Sequence, residues 1–381
     1  MTAAPDRHPS TDTWPTSDTW PARPPAELGL DPAALDDAIA FHRAHETPWS
    51  PDFITASGRY VGVADEPESA GGALGPVLPR GGPNGLVLRG GVIAAEWGDT
   101  WRADMSFSIA KSYLAVLAGI AVARGLIRDL DDRVADYPGG QGYRDEQNRG
   151  ITWRHLLQQT SEWQGTLFGK PDSIDHNRDV GRSDLGGATK GTPRALRAPG
   201  TYWEYNDVRV NRLSLSLLQV FRRPLPEVLR ESVMDPIGAT REWTWQPYDN
   251  AWVEIDGVRM PSVPGGSHWG GGLWMGTRDH ARFGLLLHRR GQWRGDKLVE
   301  ERWVDELRRP CAINAGYGLL WWLNTGRAAH PFAPESSWSA RGAGSNVIWL
   351  DPEHDLVVVV RWIEKSSVAP FLERVLASVR G

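Results

Sequence analysis

Residues 104–114 of the chain read DMSFSIAKSYL, and the fold that we expect follows from them. From residue 109 to 123 the side chains are apolar on almost every side, which predicts a buried helix rather than an amphipathic one. Lys111 follows Ser108 by three positions, and residues at that spacing share one face of a helix. The single S-x-x-K of the chain therefore brings a hydroxyl and an amine together at the start of an apolar helix.

A lysine on a buried helix loses its hydration, which lowers its pKa and favours the neutral amine. Such an amine at Lys111 could take the proton of the Ser108 hydroxyl as the hydroxyl attacks a carbonyl carbon. Free backbone N–H groups at the helix start, including that of Ser108, would then stabilise the developing negative charge. The local sequence leaves an alternative open, in which Ser108 only caps the helix and Lys111 extends to the surface.

Strand patterns lie towards both ends of the chain, and helical patterns dominate between them. A hairpin is expected at residues 86–97 and further strands at 317–324, 345–350 and 356–363, with terminal helices near 31–45 and 370–379. We therefore expect an α+β fold, with one antiparallel sheet domain formed by residues 29–107 and 290–381 and flanked by the terminal helices. A mainly helical domain, residues 108–289, would be inserted in it, with the active site in the cleft between the two. Residues 1–28, rich in Pro, Thr, Ser and Asp, are expected to form an extended arm.

Composition excludes several classes of function. A net charge of -5 without a basic patch argues against a nucleic-acid partner. No apolar run approaches the roughly 20 residues of a membrane span, and the amino terminus does not resemble a secretory signal, so we expect a cytoplasmic protein without a membrane partner. The chain has one cysteine and no metal-binding or phosphate-binding motif, so we expect neither metal nor cofactor. A homodimer is left open.

The segment around Ser108 and Lys111 resembles the serine β-lactamase and penicillin-binding-protein superfamily, in which S-x-x-K opens a buried helix. Blocks at residues 87–99, 269–284 and 342–357 follow the order of its class C-like branch. That branch includes β-lactamase-type carboxylesterases and 6-aminohexanoate-dimer (nylon-oligomer) hydrolases. The resemblance covers residues from about 85 to 365, and it implies the β-lactamase-like version of the fold described above.

The resemblance also implies roles for residues outside the S-x-x-K. Tyr205 matches the tyrosine of the second motif and would relay protons, with Tyr202 as its nearest rival and Asp207 standing where asparagine is usual. The third motif falls on residues 340–342, where the usual lysine or histidine is missing and Arg341 is shifted by one position. Gly342 and Asp207 would lie beside the substrate.

Two backbone N–H groups, those of Ser108 and Ala343, are the expected oxyanion donors. Trp163 and His268 are further candidates for contact with a substrate, each weighed against a purely structural role. The chain contains 20 tryptophans, and large apolar side chains suit pockets for bulky uncharged ligands.

We therefore expect a serine hydrolase that cleaves small-molecule carboxylic esters or uncharged amides through an acyl-enzyme on Ser108. One alternative is a β-lactamase or D-amino-acid peptidase. An alternative of another class is a catalytically inactive protein that binds an acyl ligand.

Overall fold

The computed structural model describes residues 14–15, 19–181 and 186–380 of the chain. In these ranges the α-helices are α1 Pro32–Ala44, α2 Ile109–Ala123, α3 Trp153–Leu157, α4 Asp207–Phe221, α5 Leu225–Leu229, α6 Thr277–His288, α7 Glu301–Leu307 and α8 Val368–Ala377. The strands are β1 Asn84–Arg89, β2 Val92–Trp97, β3 Asp104–Met105, β4 Thr166–Leu167, β5 Lys170–Pro171, β6 Thr244–Gln246, β7 Trp252–Ile255, β8 Val258–Pro261, β9 Gly272–Met275, β10 Gln292–Trp293, β11 Asp296–Lys297, β12 Trp322–Leu323, β13 Trp338–Gly342, β14 Asn346–Asp351 and β15 Leu356–Arg361. None of the helices in these ranges has the length and apolar character needed to pass through a bilayer.

A six-stranded antiparallel sheet has the order β12-β13-β14-β15-β1-β2. The two ends of the chain meet where β1 pairs with β15, with Val87 opposite Val358. β1 and β2 form a hairpin, and its turn residues Gly90 and Gly91 have φ values of 61° and 82°, which glycine adopts without strain. The structure thus confirms the expected α+β fold, with antiparallel strands from both ends of the chain.

Helices cover both faces of this sheet. α1 and α8 pack on one face, where Leu35 and Phe371 lie in the same apolar cluster as Val358. α2 and α6 contact the other face, which Val357 and Val359 line. Successive side chains of a strand point to opposite faces, so β15 is buried along its whole length. α6 falls within residues 108–289, the expected helical domain, yet it packs on the sheet.

A second sheet of three strands has the order β3-β9-β6, and its strand β3 precedes the buried helix α2 in the chain. β3 pairs with β9 so that Met105 lies opposite Trp274. Arg361 of β15 joins the two sheets, because its buried guanidinium donates to the main-chain oxygens of Met275 at 2.6 Å and Met105 at 2.7 Å. This contact fixes the residues that lead into α2 relative to the large sheet.

Two expectations differ from the structure in detail. Within residues 317–324 only Trp322–Leu323 form a strand, because Leu320 adopts a φ of 57°, which interrupts extended backbone. The expected arm at residues 1–28 lies partly outside the described residues. In its described part Trp20 is buried and donates from Nε1 to Gly91 O at 2.9 Å, and Ala22 forms a bridge with Ile93 of β2.

Candidate active site

Ser108 stands at the junction between β3 and α2. The strand continues into Ser106, whose N–H donates to Leu273 O at 2.7 Å. Phe107 then adopts a φ of 49°, an unusual conformation for a residue with a side chain, and packs against Phe53 with ring centroids 5.6 Å apart. This bend turns the chain into the helix, so that Ser108 precedes its first residue and stays partly exposed while its neighbours are buried.

Lys111 Nζ lies 2.8 Å from Ser108 Oγ. The Ser108 side chain makes no capping hydrogen bond to the helix backbone, and Lys111 is only 1% exposed. The alternative in which Ser108 serves as a cap and Lys111 reaches the surface is therefore wrong. The two side chains meet as the S-x-x-K spacing predicts.

The environment of Lys111 acts on its pKa in two opposite directions. Burial lowers the pKa of Lys111, and the charge and hydrogen bond of Asp207 oppose that shift. Lys111 Nζ also lies 3.3 Å from Gly265 O. The net effect is a pKa below the usual range of a lysine, so the neutral amine is more accessible here than in water.

Tyr205 is buried, and the Ser108 side chain is among the neighbours that act on the pKa of its phenol, which it lowers. Burial raises the pKa of the Tyr205 phenol, and the neighbouring carboxylate of Asp207 raises it further. The phenol therefore carries its proton at neutral pH and is placed to donate it. Tyr202, the other candidate for the second-motif tyrosine, instead contacts two arginines. Arg194 Cζ lies 4.5 Å and Arg197 Cζ lies 4.7 Å from the centroid of its ring.

The ring of Tyr205 is held by aromatic and cationic neighbours. Trp322 stacks on it with centroids 5.8 Å apart and planes at 21°. Lys111 Nζ lies 4.8 Å from the ring centroid and Arg178 Cζ lies 5.3 Å from it. These contacts hold the Tyr205 ring between Trp322 and the two cations.

Asp207, expected near the substrate, is the first residue of α4 and is buried against Lys111. One carboxylate oxygen, Oδ1, bonds Lys111 Nζ, and the other, Oδ2, accepts from Arg178 Nη1 at 2.5 Å. Burial alone would raise the pKa of Asp207, but the charges of Arg178 and Lys111 outweigh burial and hold it well below its usual range. Asp207 is thus an anion shared by two cations.

His268 lies at the edge of the same charged group. Its Nε2 is 2.7 Å from Glu66 Oε1 and 3.0 Å from Lys190 Nζ, and its Nδ1 is 3.5 Å from Asp207 Oδ2. The side chain is 10% exposed. These contacts connect His268 to Lys111 through Asp207, whereas its expected contact with a substrate stays a prediction.

The end of β13 lies beside the start of α2. A side-chain carbon added at Gly342 would come within 2.3 Å of Ser106 O and 3.4 Å of Ile109 N, so only glycine allows this approach. Ala343 follows directly and is exposed. Its N–H as an oxyanion donor, and Gly342 as part of the substrate site, stay predictions.

Trp163 is buried among the helices. Its indole Nε1 donates to Gly142 O at 2.9 Å, and Arg212 Cζ lies 6.0 Å from its ring centroid. Within the described residues none of its hydrogen bonds or cation–π contacts is with Ser108, Lys111 or Tyr205. Its place in a substrate wall stays a prediction.

No motif in the sequence singles out Arg178, Glu66 or Trp322, although all three contact the site. The sequence feature that could have indicated this charged group around Asp207 and Glu66 is the rarity of lysine, since three of the five lysines of the chain belong to it. They are Lys111, Lys170 and Lys190, and the latter two lie 3.5 Å and 3.1 Å from Glu66. In the ranges that the structure covers, no group of three or more His, Cys, Asp and Glu residues is arranged to hold a metal ion.

The Beta-lactamase family model matches residues 85–367, most of the chain. No curated protein sequence matches this chain. Similar solved structures include a proposed 6-aminohexanoate-dimer hydrolase from Bacillus anthracis, at 15% identity and a TM-score of 0.57 over 78% of each chain. EstCE1, a hydrolase with promiscuous acyltransferase activity, is 15% identical with a TM-score of 0.58 over 92% of this chain and 99% of its own. Simvastatin synthase from Aspergillus terreus is 16% identical with a TM-score of 0.55 over 81% of this chain and 93% of its own.

Proposed function

The chain belongs to the β-lactamase family of serine hydrolases, and on that premise we propose that it cleaves carboxylic esters or uncharged amides through an acyl-enzyme on Ser108. The observation that carries this proposal is the 2.8 Å separation of Lys111 Nζ and Ser108 Oγ at the start of a buried helix. A neutral amine at that distance is within reach of the proton that the hydroxyl must lose.

The first half of the reaction forms the acyl-enzyme. The Lys111 amine accepts the Ser108 proton while Oγ attacks the carbonyl carbon, and the N–H groups of Ser108 and Ala343 hold the resulting oxyanion. Tyr205 then donates its proton to the leaving oxygen or nitrogen as the bond to the acyl carbon breaks. The Lys111 ammonium passes a proton back to the Tyr205 phenolate, so both groups return to their resting forms.

The second half releases the acid. A water molecule gives its proton to Lys111 while its oxygen attacks the acyl carbon. Collapse of this second intermediate breaks the bond to Ser108 Oγ, which recovers a proton from Lys111. An alcohol or amine in place of water would give acyl transfer, and EstCE1 is a hydrolase with promiscuous acyltransferase activity.

The surroundings of Ser108 favour uncharged substrates. Ala340 stands at the position where the third motif usually has a cation, and it is fully buried in the core. The Arg341 guanidinium bonds Ser339 Oγ at 2.8 Å and His330 Nε2 at 3.1 Å, and it lies 5.5 Å from the ring centroid of Trp322. The wall next to Tyr205 is aromatic, and such surfaces bind apolar acyl groups.

The test uses a fluorophosphonate probe and a substrate panel. We expect the wild-type protein to be labelled and to hydrolyse nitrophenyl esters or nitroanilides faster than a chromogenic cephalosporin. Ser108→Ala should lose labelling and lower kcat/KM by about a thousandfold or more. Ser112→Ala is the matched control, because Ser112 is on the same helix but bonds Leu320 O at 2.9 Å, and it should keep both activities.

The same panel separates the alternatives. A cephalosporin rate that rivals the ester rate would favour a β-lactamase. Absence of both labelling and turnover in the folded wild-type protein would overturn the proposal and favour a protein that only binds an acyl ligand.

A further inference from the structure

Asp207 creates a conflict at the centre of the site. It is buried beside Lys111, and a full negative charge there stabilises the ammonium form of the lysine. The mechanism needs Lys111 to accept a proton, which requires the neutral amine. Asp207 alone would therefore oppose the first step.

The other charged groups of the site determine how strong that opposition is. Arg178 Nη1 lies 2.5 Å from Asp207 Oδ2 and 3.5 Å from Asp175 Oδ1, while Asp175 Oδ2 accepts the main-chain N–H of Asp207 at 2.8 Å. His268 Nδ1 faces the same Oδ2 at 3.5 Å. Three outer groups complete the cluster: Glu66 faces His268, Lys190 faces His268 and Asp175, and Lys170 faces Glu66. In the part of the chain that the structure describes, the remaining titratable group that faces Lys111 is the Tyr205 phenol.

We propose that Arg178 is a positioning residue that holds the far oxygen of Asp207, neutralises its charge and thereby keeps Lys111 available as a base. This inference rests on the proposed function, because it assigns a role in the same proton transfer. Arg178 comes from the loop after β5 and its side chain is 16% exposed, so it reaches the site from outside the S-x-x-K helix.

Geometry and charge both support this role. The two oxygens of Asp207 are divided between the two cations, so Lys111 shares the carboxylate with Arg178. The guanidinium adds its own positive charge near Lys111, which lowers the pKa of the lysine. Arg178 Cζ lies 5.3 Å from the centroid of the Tyr205 ring, and Lys111 Nζ lies 4.8 Å from the same centroid, so both cations border the phenol.

The test is the acid limb of the pH profile of kcat/KM, which reports protonation of the base in the free enzyme. Arg178→Gln should move this limb to higher pH by about one unit or more, because Asp207 then acts on Lys111 unopposed. Asp207→Asn should move it to lower pH. The double variant, which removes one charge of each sign, should return the limb towards its wild-type position.

Two further variants separate positioning from structural damage. Arg178→Lys keeps the charge and should shift the limb less than Arg178→Gln does. Arg223→Gln is the matched control, since Arg223 pairs at 2.7 Å with the exposed Glu231 far from the site, and its profile should be that of the wild type.

Each outcome bears on the inference. An unchanged acid limb in Arg178→Gln, with Ser108-dependent turnover in the wild type, overturns the role of Arg178 and leaves the proposed function standing. If the wild type itself shows no Ser108-dependent turnover, both the role of Arg178 and the proposed function are overturned. If Arg178→Gln does not fold, Asp207→Asn decides alone, and an unshifted limb in that variant overturns the inference.

Discussion

Lys111 and Tyr205 are titratable groups of the same buried site, and their pKa values are shifted in opposite directions. Burial lowers the pKa of Lys111 and raises that of Tyr205, so the amine tends to accept a proton and the phenol tends to keep one. Asp207 acts on both in the direction that favours protonation. In the proposed mechanism the pair therefore supplies a base, Lys111, and an acid, Tyr205.

Tyr205→Phe tests the acid role while it preserves the ring. The phenylalanine keeps the stacking surface for Trp322 but cannot donate to the leaving group. We expect kcat/KM to fall by about 10²-fold to 10⁴-fold, with a smaller loss for esters whose leaving groups need no proton. Steady-state kinetics on a series of leaving groups measures this, and equal losses across the series would contradict the assignment.

At the scale of single residues, sequence and structure agree where the spacing is local. The contact between Ser108 and Lys111 follows from helix geometry, so the S-x-x-K spacing predicts it. Arg178 bonds Asp207 across 29 positions that include a loop, and no periodicity encodes such a contact. The role of Asp207 also depends on that arginine, which explains why its position in the second motif did not predict it.

Helix α2 carries the proposed base Lys111 and follows directly on the proposed nucleophile Ser108, and it is tightly packed in the core. Its residues from Ile109 to Ala121 are all buried. Gly119 allows the indole of Trp303 to approach, because an added carbon there would lie 2.3 Å from Trp303 Nε1. That nitrogen donates to Ala115 O at 3.1 Å.

Gly119→Ala should therefore destabilise the protein, although alanine is the better helix former. Displacement of the Trp303 ring should cost about 1–3 kcal/mol, more than offsetting the roughly 1 kcal/mol of helix propensity gained. Urea unfolding measures the difference. Gly150→Ala is the control, since an added carbon there meets no atom within 4 Å, and equal stability of the two variants would refute the packing argument.

At the scale of elements, long periodic segments were predictable and short ones were not. α1 and α2 were predicted to within one or two residues at each end, because their apolar patterns span several turns. β3, β6 and β9 contain two to four residues each, too few to show alternation, yet they form the small sheet that leads into α2. The strand expected at 317–324 was largely wrong because an apolar run alone does not fix backbone conformation.

Across the whole molecule, Glu66 connects segments that are far apart in sequence. It lies 2.7 Å from His268 and 3.1 Å from Lys190, and it accepts from Trp269 Nε1 at 3.0 Å. Burial alone would raise the pKa of Glu66, but the hydrogen bond and charge of His268, with Lys190 and Trp269, lower it to about 2. The side chain is 1% exposed, so solvent screens these interactions little.

This depressed pKa makes part of the stability depend on pH. The folded state favours the ionised form of Glu66 more than the unfolded chain does. The free energy of unfolding that this ionisation contributes is therefore fully present above the ordinary glutamate pKa. That contribution is lost as the pH falls towards the folded value of about 2. We expect Glu66→Gln to be less stable than the wild type near neutral pH. The difference between their free energies of unfolding, the stability gap, should narrow by about 3 kcal/mol between pH 5 and pH 2. Denaturant unfolding across that range measures the gap, and a constant gap would contradict the assignment.

The large sheet could be predicted from strand patterns at both ends of the chain, whereas the contacts that join distant parts could not. Arg361 reaches Met105 over 256 positions, and Glu66 reaches His268 over 202. Both contacts pair a charged side chain with a partner that only the folded chain brings near. The sequence therefore indicated where the proposed reaction centre is, while the electrostatics of that centre required the structure.

Rapid-quench intact mass measurement during the first turnover of a nitrophenyl ester tests the central claim, that Lys111 makes Ser108 an acyl-accepting nucleophile. We predict that the wild-type protein gains one acyl group, that peptide mapping finds it on Ser108, and that Lys111→Met gains it at least about a thousandfold more slowly. An acyl group on another residue, or an unchanged acylation rate in Lys111→Met, would contradict the claim.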